Sequence, residues 1–177
     1  TPNGTIYFPA GTFLLSQIDI ASPVQIEGEG PSATFIKAGS ATAVVFNITT
    51  TERVDVKELT FKPFVTATKQ TSGAYIKISP ASGFAHDAVI ENVDFTYANV
   101  GVHFENANIW SMVGCYHTNY AYGVRVENQD TPDAGDSTIT ECVFDAGGAT
   151  GVAIDQRSSG GLRITNNKIL NGDYGYV

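Results

Sequence analysis

The chain has 177 residues, of which 42% are hydrophobic and 16% are charged, so it is long enough to bury one sizeable core. No stretch approaches the roughly 18 consecutive apolar residues that cross a bilayer, which excludes a membrane-spanning helix. Ten Lys and Arg against 18 Asp and Glu give a formal charge of -8, which disfavours nucleic acid as a partner. The two cysteines lack the spacing of a zinc site, and we expect neither a bound metal nor a cofactor.

A short apolar alternation that follows a small residue recurs along the chain. It is found at residues 43–46, 73–76, 101–104, 123–126 and 151–154, and residues 175–177 begin another copy. Neighbouring copies are 22 to 30 residues apart, and no helical period lies between them. A period of this length predicts a solenoid of stacked coils.

Each unit carries a second pattern, with apolar residues at the first, fourth and sixth of six places. It is found at residues 56–61, 90–95, 139–144 and 164–169, with a degenerate copy at 112–117. The third place holds Glu58, Asn92, Glu141 or Asn166 in the four clear copies. We expect two short strands that meet at a bend, where this side chain binds turn backbone groups.

These patterns predict an all-β fold, a right-handed single-stranded parallel β-helix of about six coils. The hand follows from the chirality rule for parallel crossover connections. We expect one domain over residues 1–177, with 1–42 as an opening coil and 43–177 as repeating coils. The chain begins without Met and ends within a predicted strand, so we expect it to be a piece of a longer protein.

The opening coil supports a family resemblance. Residues 4–15 read Gly-Thr-Ile-Tyr-Phe-Pro-Ala-Gly-Thr-Phe-Leu-Leu, and residues 24–36 read Val-Gln-Ile-Glu-Gly-Glu-Gly-Pro-Ser-Ala-Thr-Phe-Ile. They resemble the opening coil of the pectate-lyase-like superfamily, in particular its branch of bacteriophage tailspike proteins and capsule depolymerases. The resemblance implies a homotrimeric parent protein, outside the cell or on the virion, that binds or cuts a bacterial surface or other acidic polysaccharide. It supplies no catalytic residues, because the motifs of polygalacturonases, mannuronan epimerases and true pectate lyases are absent.

Alignment of the copies on their small residues predicts which side chains face inward and outward. The inward set is Val102, Phe104, Val124, Val126, Val152 and Ile154. One outward column is Val45, Tyr75, His103, Arg125 and Ala153, and the next is Asn47, Lys77, Glu105, Glu127 and Asp155. The second column therefore predicts three carboxylates stacked on successive coils, about 4.8 Å apart.

Stacked carboxylates suggest glycoside hydrolysis, because like charges at that spacing can keep one acid protonated. Glu105, Glu127 and Asp155 are the expected catalytic residues in that case. In a lyase, Arg125 would neutralise a uronate carboxylate and His103 would take the C5 proton. The alternative is a solvated face on which Lys77 and Arg125 balance the acids.

Aromatic residues near Arg125 suggest sugar stacking. Tyr75, Tyr120 and Tyr122 are the expected platforms, since a flat ring with a polar edge suits the apolar face of a sugar. The alternative is ring stacking between coils. Trp110 aligns with core positions and is expected to be buried.

Three further side chains are predicted to be structural. Cys115 and Cys142 share an inward place on adjacent coils, and we expect two buried, unpaired thiols. His117 aligns with Phe61, Phe95, Phe144 and Ile169, which predicts a hydrogen-bonded core histidine. The insertion at residues 128–136 is interpreted as a turn rather than a calcium site, because its aspartates do not alternate.

The predicted function is recognition of a polysaccharide, with cleavage by a glycosidase or lyase mechanism left open. The alternative is a structural or receptor-binding β-helix of a virion or cell surface without catalysis. A pectin enzyme directed at plants or fungi is a third hypothesis, and the absence of polygalacturonase and pectate lyase motifs argues against it.

Overall fold

The computed structural model describes residues 4–127, 137–148, 150–157 and 161–177, and within them it is built from strands and turns. Every strand pairing is parallel. In the part of the chain so described, no helix is long and apolar enough to cross a membrane. The predicted all-β parallel β-helix is confirmed.

Each coil has three strand positions, and each strand pairs with the same position of the next coil. The first position contains β1 (Thr5–Phe8), β4 (Val24–Gly28), β7 (Val54–Lys62), β9 (Ala88–Thr96), β11 (Trp110–Val113), β14 (Ser137–Thr140) and β17 (Leu162–Thr165). The second contains β2 (Gly11–Leu15), β5 (Thr34–Ala38), the distal halves of β7 and β9, β12 (Tyr116–Thr118), β15 (Val143–Asp145) and β18 (Lys168–Leu170). The third contains β3 (Ile18–Ile20), β6 (Phe46–Ile48), β8 (Ala74–Ile78), β10 (Val100–Glu105), β13 (Tyr122–Glu127), β16 (Val152–Gln156) and β19 (Tyr174–Tyr176).

The third-position sheet contains seven strands among the described residues, one from each coil. The sequence predicts about six coils. The difference arises at the start, because the predicted single opening coil at residues 1–42 contains β1 to β5 and thus most of two coils.

The bend between the first two strand positions lies where the six-residue pattern places it. Glu58, Asn92, Glu141 and Asn166 have φ values of 55°, 51°, 57° and 57°, and Gly114 in the degenerate copy has 63°. This left-handed conformation is unfavourable for most side chains, and asparagine tolerates it better than most. The Asn92 amide also donates a hydrogen bond of 2.8 Å to the Glu58 carboxylate in the preceding coil.

The centre of the solenoid is filled by a ladder of rings. Phe61 stacks on Phe95 at a centroid distance of 5.4 Å, and His117 lies between Phe95 and Phe144 at 4.5 and 4.7 Å. His117 is fully buried, as predicted from its alignment. The prediction that it is hydrogen-bonded is wrong, since neither ring nitrogen has a partner among the described residues.

The other predicted core side chains are also buried. Trp110 is 2% exposed and stacks on Phe104 at 3.8 Å. Cys115 and Cys142 are buried, free thiols, and the Cys115 amide donates to the Cys142 sulfur at 3.4 Å. The interpretation of these residues as structural agrees with their packing.

The predicted register of the third strand position is wrong at three of the junctions between coils. Gly101 lies between two pairs that β10 makes with β8, Val100 with Ala74 and Val102 with Ile76, so it is opposite Tyr75 and not Gly73. In the same way, the pairing of β13 with β16 places Gly123 opposite Ala153 and not Gly151. Sequence alignment on the small residue therefore places β8 and β16 two residues out of register with β10 and β13. The same error affects β6, which pairs with β8 as aligned, and Gly175, which is opposite Ala153 and not Gly151.

The alignment on small residues also predicts an outward position for side chains that the structure buries. Val45, Tyr75 and Ala153 were expected to face outward, and all three are 0% exposed. The reason is that the strand begins with two successive inward positions, such as Tyr75 and Ile76, which breaks the alternation. Val152, which was expected to face inward, is opposite Tyr122 and lines a surface cleft.

Candidate functional site

The outer face of the third-position sheet carries two columns of polar side chains. In the first, His103 is opposite Lys77 on one side and Arg125 on the other, and Arg125 is opposite Asp155. In the second, Glu105 is opposite Glu127. The pleat of the parallel strands places these side chains on one surface.

Only two of the three predicted catalytic carboxylates are neighbours in one column. Glu105 and Glu127 are opposite each other, as predicted. Asp155 is opposite Arg125, because the predicted register of β16 is wrong by two residues. The predicted stack of three carboxylates is therefore wrong. Acids and bases are interleaved instead.

Each of these carboxylates contacts at least one basic side chain. Lys77 lies 2.8 Å from Glu105, and His103 lies 3.1 Å from Glu127. Asp155 is 3.0 Å from Arg125. Arg157 was missed by sequence analysis. Its guanidinium nitrogens lie 3.2 Å from a carboxylate oxygen of Glu127 and 2.9 Å from one of Asp155.

The contacts between acidic and basic side chains on this face affect their protonation states. Hydrogen bonds from Lys77 and then from Ser79 lower the pKa of Glu105, so this carboxyl is ionised at neutral pH. The expected general acid, a carboxyl with a raised pKa, is not found at Glu105. Burial lowers the pKa of His103 and outweighs the neighbouring Glu127, so its imidazole is neutral at neutral pH.

Arg125 is held from two directions. Its Nε donates to Asp155 at 3.0 Å, and its guanidinium carbon lies 3.8 Å from the centre of the Tyr122 ring. Asp155 is only 7% exposed, so this ion pair is weakly screened by solvent. A guanidinium fixed by a carboxylate and a ring is oriented before any ligand arrives.

A cleft of about 210 Å³ opens beside these residues. Lys77, Asn99, His103 and Arg125 are the polar side chains that line it, and Lys77 and Arg125 have further N–H groups beyond those that bind carboxylates. No carboxylate lines it within the described ranges, although Glu105, Glu127 and Asp155 each contact one of the residues that do. The cleft therefore presents donors and positive charge to solvent.

A second opening of about 270 Å³ continues along the same sheet. Tyr122, Val152 and Tyr174 line it and occupy one column on successive coils. Tyr174 is 60% exposed and was missed by sequence analysis. The repeated Tyr-Gly pair could have identified it, because Tyr122 and Tyr174 each precede a glycine at the start of a third-position strand.

Two of the three predicted sugar platforms are buried. Tyr75 stacks between coils against Phe61, and its hydroxyl donates to the Thr96 carbonyl at 2.6 Å. Tyr120 is 0% exposed and packs edge-on against His117, and burial raises its pKa to about 12. Their rings cannot reach a ligand in this conformation, so Tyr122 is the predicted platform that remains at the surface.

The predicted turn at residues 128–136 lies outside the described residues. Elsewhere in the described chain, no group of three or more His, Cys, Asp or Glu side chains is arranged to hold a metal ion.

The comparisons with known proteins agree with this architecture. Residues 33–177 match the family described as the right-handed β-helix region. The chain belongs to this right-handed β-helix family. The structure of the ORF18 protein of Geobacillus virus E2 is similar, with a TM-score of 0.61 and 20% sequence identity over 97% of this chain. At that identity the likeness concerns the fold alone, and this β-helix spans about a third of the viral protein, 35% of its length. No curated protein matches the sequence significantly.

Proposed function

We propose that this chain is the β-helix module of a phage-associated or cell-surface protein, and that its cleft beside Arg125 binds an acidic polysaccharide. The observation that carries the proposal is the lining of that cleft, to which Lys77 and Arg125 contribute positive charge and no carboxylate contributes among the described residues. A sugar carboxylate can accept two hydrogen bonds from a guanidinium held in this way.

The neighbouring aromatic column extends the surface along the sheet. Tyr122 and Tyr174 are two coils apart, roughly 10 Å, which is about the length of two sugar units. Rings at that spacing suit alternate residues of a chain rather than a single small molecule. The resemblance of residues 4–15 and 24–36 to tailspike proteins supports a polysaccharide ligand, a homotrimeric parent and a place outside the cell or on the virion.

Cleavage by β-elimination is a second candidate. It is favoured by the contact between neutral His103 and Glu127 next to Arg125, which provides a base beside a group that can neutralise a uronate. Hydrolysis by Glu105, Glu127 and Asp155 is less well supported, because each carboxylate is bound to a cation and the pKa of Glu105 is lowered.

We expect the protein to bind uronic-acid polysaccharides and to lose this binding when their carboxyl groups are reduced to alcohols. Arg125→Met should weaken binding at least about 10-fold, because a charge-assisted hydrogen bond contributes roughly 1.5–3 kcal/mol. Calorimetric titration with each polysaccharide and its carboxyl-reduced form measures both effects. Arg163→Met removes the same charge from the exposed strand β17 and should bind like the unmodified protein.

Arg125→Lys serves as a second variant, since it keeps the charge and the partner Asp155 while removing the planar fork. Equal affinity for a polysaccharide and its reduced form would contradict the proposal, as would unchanged binding by both Arg125 variants. Absorbance of unsaturated products and new reducing ends in the same samples separate elimination from hydrolysis. Binding without either signal would assign the module to recognition alone.

A further inference from the structure

A separate cleft of about 280 Å³ lies at the end of the second strand position, on the other side of the turn that leads into the third. Its polar lining comes from Lys37 on β5, Lys62 on β7, Thr96 and Tyr97 at the end of β9, and Thr118 on β12. The connection after Lys62 covers it, with Thr66 and Ala67 in the wall. Four successive coils thus contribute to one concave surface.

The two lysines of this cleft are directly opposite each other on adjacent strands. Like charges in directly opposed positions destabilise a sheet unless a counter-charge is near. Neither ammonium group has a carboxylate within ion-pair distance anywhere in the described ranges. By contrast, Lys77 and Arg125 on the third-position sheet, and Arg157 directly after β16, each form an ion pair with a carboxylate. In a chain of net charge -8, an uncompensated cationic pair in a concavity is a place for an external anion.

The ammonium group of Lys62 is held in position by an aromatic ring. Lys62 Nζ lies 3.3 Å from the centre of the Phe35 ring, and both lysines are half-buried. A cation held over a ring loses less conformational entropy when a ligand binds.

The wall of the cleft contains unusual backbone. Ala67 and Tyr97 have φ values of 57° and 54°, a conformation that disfavours residues with side chains. Tyr97 is fixed there by two backbone hydrogen bonds of 2.9 Å, its N–H to Thr118 and its carbonyl from Gln70. Asn119 and Asn171, which follow the second-position strands β12 and β18, have φ values of 53° and 52°, so at Tyr97 this conformation belongs to the regular turn of the solenoid. It places a partly exposed ring beside the lysines, and the Tyr97 hydroxyl has no hydrogen-bond partner in the described chain.

From these features we infer that the Lys37–Lys62 cleft binds a carboxylate-bearing sugar unit. The two ammonium groups contact the carboxylate, the Tyr97 ring packs on the sugar face, and Thr66 and Thr118 offer hydroxyls to the ring substituents. This site uses strands other than those that carry Arg125, so it goes beyond the function proposed above and does not depend on it.

The test is a titration of the isotope-labelled protein, followed by NMR through the backbone amides of Tyr97 and Thr118. The probes are glucuronate, glucose and inorganic phosphate. We expect saturable shifts with glucuronate, with a Kd of about 1–10 mM for a ligand of this size, and none with glucose. Phosphate should bind at least about 10-fold more weakly than glucuronate, because it lacks the ring that packs on Tyr97.

Variants assign the shifts to the lysines. Lys37→Met and Lys62→Met together should weaken glucuronate binding at least about 10-fold, while Lys168→Met, which removes a charge from the exposed strand β18, should leave it unchanged. Unchanged binding by the double variant, or no saturable shift with glucuronate, would overturn the inference. Phosphate binding as tight as glucuronate would also overturn it, since the cleft would then be a simple anion site. The amides of His103 and Arg125 report separately on the first cleft.

Discussion

Replacing His117 with phenylalanine should remove a large part of the acid sensitivity of this fold. The imidazole lies between Phe95 and Phe144 with interplanar angles of 16° and 18°, and it is fully buried. Burial lowers its pKa to about 3, so the folded protein keeps it neutral. The unfolded chain takes up a proton near pH 6.5.

The sign of the effect follows from this difference. Above about pH 6.5 both states hold a neutral His117, and the group does not alter stability with pH. As the pH falls from about 6.5 to about 3, only the unfolded state gains the proton, so the free energy of unfolding decreases. The full range corresponds to roughly 5 kcal/mol, comparable to the stability of a small domain.

Phenylalanine fits the site, because Phe144 occupies the equivalent place one coil later. A Cβ at Gly123 would lie 2.7 Å from the Phe144 ring, and a Cβ at Gly101 would lie 2.6 Å from the His117 ring. Both rings therefore pack on a glycine in the same way. We expect His117→Phe to match or exceed the stability of the unmodified protein at pH 7 and to exceed it by several kcal/mol near pH 4.

Urea unfolding followed by circular dichroism at both pH values measures this difference. His86→Gln changes an exposed histidine and should follow the unmodified protein at each pH. An equal loss of stability in His117→Phe and the unmodified protein would show that His117 does not cause the acid sensitivity.

Much of the fold could be predicted because its signals are local. Each coil must bend between its first two strands, and the six-residue pattern marks the bend, where Asn92 and Asn166 tolerate the left-handed backbone. The ladder of rings could be predicted for the same reason. His117 could be assigned to the core from its alignment with Phe95 and Phe144 alone.

The register of the third strand could not be predicted, since two kinds of glycine look alike in the sequence. Gly73 has a φ of 77° and belongs to the turn before β8, whereas Gly101 and Gly123 make room for rings. A shift of two residues preserves most of the apolar alternation, so hydrophobic pattern does not detect it. It does change which charged side chains are neighbours across the sheet.

The candidate site shows the consequence of that shift. His103, Glu105, Arg125 and Glu127 lie together as predicted, because β10 and β13 were aligned correctly. Asp155 joins them through Arg125 rather than through Glu127, and Lys77 lies beside His103. A column of repelling acids thus becomes a paired network, which favours binding over acid catalysis. The Lys37–Lys62 cleft gave no sequence signal, because its residues come from four coils and from an irregular connection.

A second large effect is expected at the glycines that set this register. An alanine at Gly101 would place its Cβ 2.6 Å from the Gly123 carbonyl oxygen and 2.6 Å from His117 Nδ1. At Gly123 it would lie 2.6 Å from the Ala153 carbonyl oxygen and 2.7 Å from the Phe144 ring. Backbone oxygens of the next coil cannot move without shifting the strand, so we expect each substitution to cost about 3 kcal/mol or more.

The same unfolding measurements test this prediction, with Gly4→Ala as the control, because nothing lies within 4 Å of a Cβ there. The two glycines belong to the strands that carry His103 and Arg125, so we also expect weaker polysaccharide binding in whatever protein remains folded. If Gly101→Ala and Gly123→Ala were as stable as Gly4→Ala, these positions could not face the rings of the core. Tyr75 and Ala153 would then lose their assignment as the inward neighbours of Gly101 and Gly123. The pairing of Arg125 with Asp155, on which the first cleft depends, would have to be reassigned with them.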